Sequence, residues 1–289
     1  MIKVNVMYLL ILLTWYLLFL IFFLFLYLKY SKPYKVKIEK KVESIPENLN
    51  PNELSMLLYH KITPNTLVAT IIYLMDQKVI IREGNILRKN GKDVVLSVCQ
   101  NNVVELLFDT LGNGKTVDVE KIADFCSNNS KCTDFLLAYD IWNNIATKEA
   151  MASKQFFIRK MDYELVKWFQ YIGYFLVILN VVLKLHFIAG YAILIPAYFL
   201  LQYFYKVYKR TPYYQEQFYK WISYKNYLSD TNTIKDLNDN KSWVLIYSVL
   251  LNNLDHVENI VCGEQFLTQL NDSLQLCYKK AFLFGNRKI

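Results

Sequence analysis

Glycine and proline are scarce in this chain, 8 and 6 among 289 residues, which excludes collagen-like and Pro/Gly-rich disordered sequence. Cysteine is sparse and odd in number. Cys99, Cys126, Cys132, Cys262 and Cys277 contain no Cys-x-x-Cys pair, a pattern that fits reduced thiols facing a cytosol better than a disulfide framework. Only Cys126 and Cys132 lie close together, and no nearby histidine completes a zinc site. The three histidines, His60, His186 and His256, are scattered, and none stands beside a serine or cysteine in a nucleophile motif. Acidic residues are dispersed, with no paired set inside an apolar run. No catalytic, cofactor-binding or metal-ligating residue stands out, so no cofactor is expected and the chain does not read as an enzyme.

What the chain has in quantity is apolar and aromatic side chain, 54% and 16% of residues. Val6 to Leu28 carries no charge for 23 residues, long enough for a spanning helix; the bulky and charged residues that follow make it an anchor rather than a cleaved leader. A second apolar block, Trp168 to Tyr205, is broken only around Lys184 and His186, which fits a helical hairpin. Lys29, Lys32, Lys35, Lys37, Lys40 and Lys41 follow the first span against a lone Lys3 before it. Arg159, Lys160, Lys167, Lys206, Lys209 and Arg210 flank the hairpin. By the positive-inside rule the N-terminus lies outside and both polar regions are cytoplasmic. This orientation accounts for much of the formal net charge of +8, and nucleic acid is not needed to explain it.

Between the spans, a polar linker over 42–50 leads to Asn50-Pro51-Asn52-Glu53, an N-cap, a first-turn proline and a glutamate at N3. A second start, Thr63-Pro64, opens a helix with Leu67, Ile71 and Leu74 at helical spacing. The runs VIIRE, ILRKN and DVVLSV, separated by Gly-Asn and Gly-Lys, then read as a hairpin or three-stranded meander. Two helices and a hairpin make a winged-helix-like unit. Segments from Val103 through the helical stretch SKCTDFLLAYDIWNNIATKEAM to a strand at QFFIR predict a second unit of the same type. The candidate recognition helix, Pro64 to Gln77, has no Lys or Arg, and Arg82, Arg88, Lys89 and Lys92 on the hairpin read as a solvated face. A protein contact is therefore expected rather than DNA. Leu111 to Thr116, LGNGKT, imitates a phosphate-binding loop, but the first glycine of that motif would fall at Asp109 and the preceding residues read as helix, so it reads as a turn.

After the hairpin, Thr211-Pro212 starts a helix with Tyr214, Phe218, Trp221, Ile222, Lys225 and Leu228 along one face. Those rings suit either a bilayer surface or packing on protein, and the sequence leaves both open. Trp243 to Leu251 is apolar but too short to span. Phe266, Leu270, Leu274 and Cys277 mark a final amphipathic helix.

The order of these pieces resembles the DUF2207 (YciQ-like) predicted membrane proteins. The likeness rests on NPNELSMLLYHKITPNTLVATIIYLMDQKVIIREGN, on VVELLFDTLGNGKTVDVEKI, on the paired apolar segments, and on RTP, Trp221 and YKNYL after them. The apolar segment KSWVLIYSVLLNN departs from the usual Pro-Tyr-Ala-rich form, and glycines usual in the preceding helix are replaced around Tyr214 and Ser223. The extracytoplasmic β-rich domain common in that family is not supplied by the residues before Val6. The resemblance implies a bacterial membrane protein and carries no activity with it.

The expected architecture is thus mainly α, with three transmembrane helices (one N-terminal, one hairpin) and cytoplasmic α+β winged-helix-like units. Its parts are an anchor at 1–28, a basic linker at 29–50, a tandem unit at 51–164, the hairpin at 165–205 and a helical C-terminal region at 206–289. The expected role is a non-enzymatic interaction or assembly module in the cell membrane, multi-pass, partnered by the lipid bilayer and by a protein at the cytoplasmic face. A membrane-tethered DNA-binding regulator is the alternative.

Overall fold

The computed structural model describes residues 6–36, 42–91, 94–157, 168, 171–172, 174–175, 178, 209–230, 240–262 and 264–285. The chain forms two compact units. The first joins Met1–Lys35 with Phe157–Pro212, and the second joins Val36–Phe156 with Tyr213–Ile289.

In the first unit, α1 (Val6–Leu26) runs into a π-helical turn, Tyr27–Ser31. Leu13, Leu17, Leu20, Ile21 and Leu24 are exposed, while Trp15 and Leu26 are buried. The Thr14 hydroxyl donates to the Leu10 carbonyl at 2.9 Å, keeping its polar atom inside the helix. Lys209 lies 4.1 Å from the Tyr34 ring centre and donates to the Lys29 carbonyl at 3.1 Å. The expectation of three transmembrane helices is corrected here: among the described residues, no helix is long and apolar enough to cross a membrane. Most of the expected hairpin, 165–205, lies outside the described residues.

The second unit begins as its start signals predict. α2 (Pro51–Tyr59) is closed by a reciprocal capping box: the Asn50 side chain accepts from Glu53 N at 2.9 Å and the Glu53 carboxylate accepts from Asn50 N at 3.1 Å. His60 ends it in the left-handed conformation, φ 60°. α3 (Pro64–Asp76) is capped by Thr63 and Thr66, and its Leu67, Val68, Ile71 and Leu74 are buried. The strands β1 (Ile80–Glu83) and β2 (Ile86–Lys89) form the expected antiparallel hairpin around Gly84, φ 64°.

The third strand is not where the sequence puts it. Residues 94–97 are not strand, and β3 (Thr116–Asp118) takes the place beside β2 instead, giving one antiparallel sheet of order β1-β2-β3. The expected second α+β unit is likewise corrected. α4 (Val98–Glu105) and its π-helical extension Leu106–Thr110 lead into β3, followed by α5 (Val119–Phe125) and the long α6 (Asn129–Ser153). All serve the one sheet and core, because a three-residue strand cannot found a sheet alone. Of QFFIR, Phe157 makes an isolated bridge to Arg210, and 158–159 lie outside the described residues.

Four further helices complete this unit: α7 (Pro212–Leu228), α8 (Lys241–Leu250), α9 (Leu254–Val261) and α10 (Phe266–Gly285). α8 packs on α3 and α2, and α10 on α5, α6 and α3. The apolar run that is too short to span a membrane is core: Val244, Ile246, Tyr247 and Leu250 are fully buried. The aromatic α7 also packs on protein. Trp221, Tyr224 and Leu228 are wholly buried, Trp221 meets Tyr247 edge-on with ring centres 4.7 Å apart, and Tyr214 meets Phe156 at 4.7 Å.

Candidate functional site

Most ionisable side chains of the second unit that suggest chemistry are spent on holding it together. Glu258, 1% exposed, accepts from Leu267 N and Thr268 N, both at 2.7 Å, and from the Thr268 hydroxyl at 2.8 Å. It thereby caps the first turn of α10 from α9. Lys154 bridges Glu47 at 2.8 Å and approaches Glu53 at 3.9 Å; burial works against its charge, but these carboxylates outweigh it and hold its pKa above the ordinary lysine value. Glu149 accepts from Cys99 N at the start of α4.

The residues singled out in the sequence are dispersed by the fold. LGNGKT is a closed turn: Asn113 Oδ1 accepts from Lys115 N, Thr116 N and the Thr116 hydroxyl, and Gly114 N donates to the Phe108 carbonyl at 2.7 Å. Its amides are consumed internally instead of facing a phosphate. Gly112 is required there, since a Cβ would run into the Thr116 and Phe108 carbonyls. On the hairpin, Arg82 donates to Glu264 at 2.7 Å and stacks over Phe266 at 4.0 Å, and Arg88 pairs with Glu83 at 2.9 Å. Lys92 and His186 lie outside the described residues. The thiols of Cys126 and Cys277 approach to 3.5 Å in the core, and burial first, then the neighbouring thiols, pushes Cys126 up. Such thiols are protonated and unreactive. Among the described residues no group of three or more His, Cys, Asp or Glu could hold a metal ion.

What the fold does assemble is an amide-lined cleft of about 370 Å³. Three places build it: the first turn of α3, the turn between α8 and α9, and the middle of α10. The α8–α9 turn is tight because Asn252 adopts φ 59°, with its N–H bonded to the Val249 carbonyl at 3.2 Å; asparagine tolerates that conformation. Leu254 then starts α9, so Asn252, Asn253, Asp255 and His256 all reach the cleft, opposite Asn271, Asp272 and Gln275 of α10.

Its floor is a directed chain of hydrogen bonds. Gln275 Nε2 donates to Asn65 Oδ1 at 2.5 Å, Asn65 Nδ2 donates to Asn252 Oδ1 at 2.7 Å and to the Val249 carbonyl at 3.2 Å, and Asn252 Nδ2 donates to the Tyr59 hydroxyl at 3.3 Å. Tyr59 in turn donates to the Leu250 carbonyl in a short hydrogen bond, and burial raises its pKa despite the Asn252 contact. Asn253 is held by the Lys225 carbonyl at 3.1 Å and by the Ser229 hydroxyl at 2.9 Å. His256 Nε2 is buried without a partner. The sequence marks this place only as a polar stretch, Asn252-Asn253-Leu254-Asp255-His256. Nothing local to that stretch shows that Asn65 and Gln275, 187 and 23 residues from Asn252, meet it.

The second unit is a helical body with one small antiparallel sheet and a cleft lined mainly by carboxamides, with Asp255, Asp272 and His256 among them. Residues 39–252 match the family described as Predicted membrane protein (DUF2207) C-terminal domain. The chain belongs to that family of predicted membrane proteins, whose function is unknown. No curated protein and no solved structure matches it. α9 and α10, with Asp255, His256, Asn271, Asp272 and Gln275, lie beyond the matched residues.

Proposed function

We propose that the second unit is a non-enzymatic protein-interaction module of a membrane protein, and that its amide-lined cleft receives a segment of a partner polypeptide. The carrying observation is the lining itself. With the amide donors of Asn65, Asn252, Asn253 and Gln275 engaged internally, the lining presents acceptor oxygens that a polypeptide's N–H groups can meet, and carboxamides neither titrate nor attack. Preorganisation supports the same reading: Asn65, Asn252, Asn253 and Gln275 are already fixed by one another or by backbone carbonyls, so little side-chain entropy is lost on binding. Membrane attachment rests on family membership and on the exposed leucines of α1, apolar surface that lipid would cover. The lysines after α1, from Lys29 to Lys41, support a cytoplasmic position for the module.

The test is photo-cross-linking in intact membranes with a photoreactive residue at Gln275 in the cleft or at Gln269, an exposed position elsewhere on α10. One reproducible protein captured from position 275 and absent from 269 is expected. Recovery of only abundant membrane proteins from both positions would refute the interaction reading.

A further inference from the structure

The cleft is acidic. Its lining holds Asp255 and Asp272 and no lysine or arginine, and the basic residues behind the chain's net charge of +8 are concentrated in the first unit, at Lys29, Lys32, Lys35, Arg159, Lys160, Lys167, Lys206, Lys209 and Arg210. Lys225 meets the site through its backbone carbonyl. Both carboxylates are exposed, and neither makes an ion pair among the described residues. The internal hydrogen bonds also leave an excess of acceptors. Asn65 spends its amide on the Val249 carbonyl and Asn252, and Asn253 spends its own on Lys225 and Ser229, so the Asn253 and Gln275 carbonyl oxygens remain open beside the two carboxylates.

We infer that the cleft takes the guanidinium of an arginine side chain carried by the partner polypeptide. An acceptor-rich pocket with two carboxylates matches a group that has five N–H donors, no acceptor and a permanent positive charge. Planar, bidentate pairing with carboxylates distinguishes that group from an ammonium. A concave site of one sign also concentrates the oppositely charged ligand. This inference rests on the interaction reading and names what the cleft selects.

The experiment uses the full chain in lipid nanodiscs and three capped pentapeptides, Ac-Gly-Gly-X-Gly-Gly-NH2, with X arginine, lysine or citrulline, followed by calorimetry or saturation-transfer NMR. Citrulline keeps the shape of arginine and removes its charge. The arginine peptide binds at least tenfold more tightly than either of the others, and the double variant Asp255→Asn, Asp272→Asn brings it down to the citrulline level. Because both side chains are exposed, that variant keeps the wild-type unfolding midpoint, and Glu216→Gln, outside the cleft, leaves the preference intact. Equal affinity for arginine and citrulline overturns the charge assignment while the interaction reading stands. Equal affinity for arginine and lysine overturns the guanidinium assignment, and failure to bind any of the three overturns the inference altogether. Arginine selectivity without a partner captured from position 275 would retain the site and sink the interaction reading instead.

Discussion

Two glutamates in the second unit cap helices, and they do so in different ways. Glu53 closes a box with Asn50 three residues away, within one turn of its own helix. Glu258 leaves α9 to cap the first turn of α10, nine and ten residues on. Glu53 shares its work with Asn50 and lies near Lys154, so its helix start has several supports. Glu258 carries three hydrogen bonds on one carboxylate at 1% exposure. The difference teaches where stability is concentrated: the local cap is redundant, and the long-range cap is not.

The sharpest way to break that contrast is Glu258→Ala. Removing the carboxylate leaves two backbone N–H groups and a hydroxyl without their acceptor, and a loss of about 3–4 kcal/mol is expected from the usual cost of unmade buried hydrogen bonds. Glu258→Gln keeps one acceptor oxygen and should recover roughly half of that loss. Chemical denaturation at pH 7 reads both. A Glu258→Ala midpoint indistinguishable from wild type would mean that α10 is held by its apolar face alone, through Phe266, Leu270, Leu274 and Cys277.

The same contrast marks what could be read from the sequence. The starts of α2 and α3 were legible because Asn50-Pro51-Asn52-Glu53 and Thr63-Pro64 act within one turn, and the β1–β2 hairpin because alternation and Gly84 are local. The aromatic α7 was partly legible: of its expected face Trp221 and Leu228 are buried, but Ile222 is exposed and the buried Gln215, Gln217 and Tyr224 lie off that face, and whether lipid or protein covers Trp221 depends on Tyr247, 26 residues away. β3 was missed because three residues carry no periodicity, and DVVLSV, richer in β-formers, took its place in the reading. The apolar run at Val6 was correctly a helix, yet hydropathy in the sequence does not establish a membrane-crossing helix, and the structure does not bear out three spans. The cleft was illegible for the reason Glu258 was. Asn65, Asn252 and Gln275 meet only after α3, α8 and α10 have packed.

Asn50→Ala sharpens the comparison from the local side. The variant removes the acceptor for Glu53 N and leaves Pro51 and the Glu53 carboxylate in place, so a cost of about 1 kcal/mol is expected, the usual worth of an N-cap. Measured beside Glu258→Ala under the same conditions, it should be clearly the milder change. A loss equal to that of Glu258→Ala would show that the box is as indispensable as the long-range cap.

The smallest effect comes from a thiol next to the local cap. Cys99 is buried at the start of α4, where Asn52 Nδ2 donates to its sulfur at 3.3 Å; burial, with Glu149 nearby, pushes the thiol from 9.0 up to about 11. Between those two values the unfolded chain gives up its proton and the folded one keeps it. The unfolded state therefore binds fewer protons, and stability falls as pH rises through that window. The contribution is fully present below about pH 9 and is lost progressively toward pH 11, amounting to somewhat under 1 kcal/mol by about pH 9.5. Other groups titrate in the same range, so the measurement is the difference between wild type and Cys99→Ala in denaturant midpoint from pH 8 to 10. Wild type should lose stability more steeply than the variant, narrowing whatever advantage it has at pH 8. Parallel curves would show that the thiol is no better shielded in the fold than in the unfolded chain, and that packing around Asn52 is looser than the capping box beside it implies.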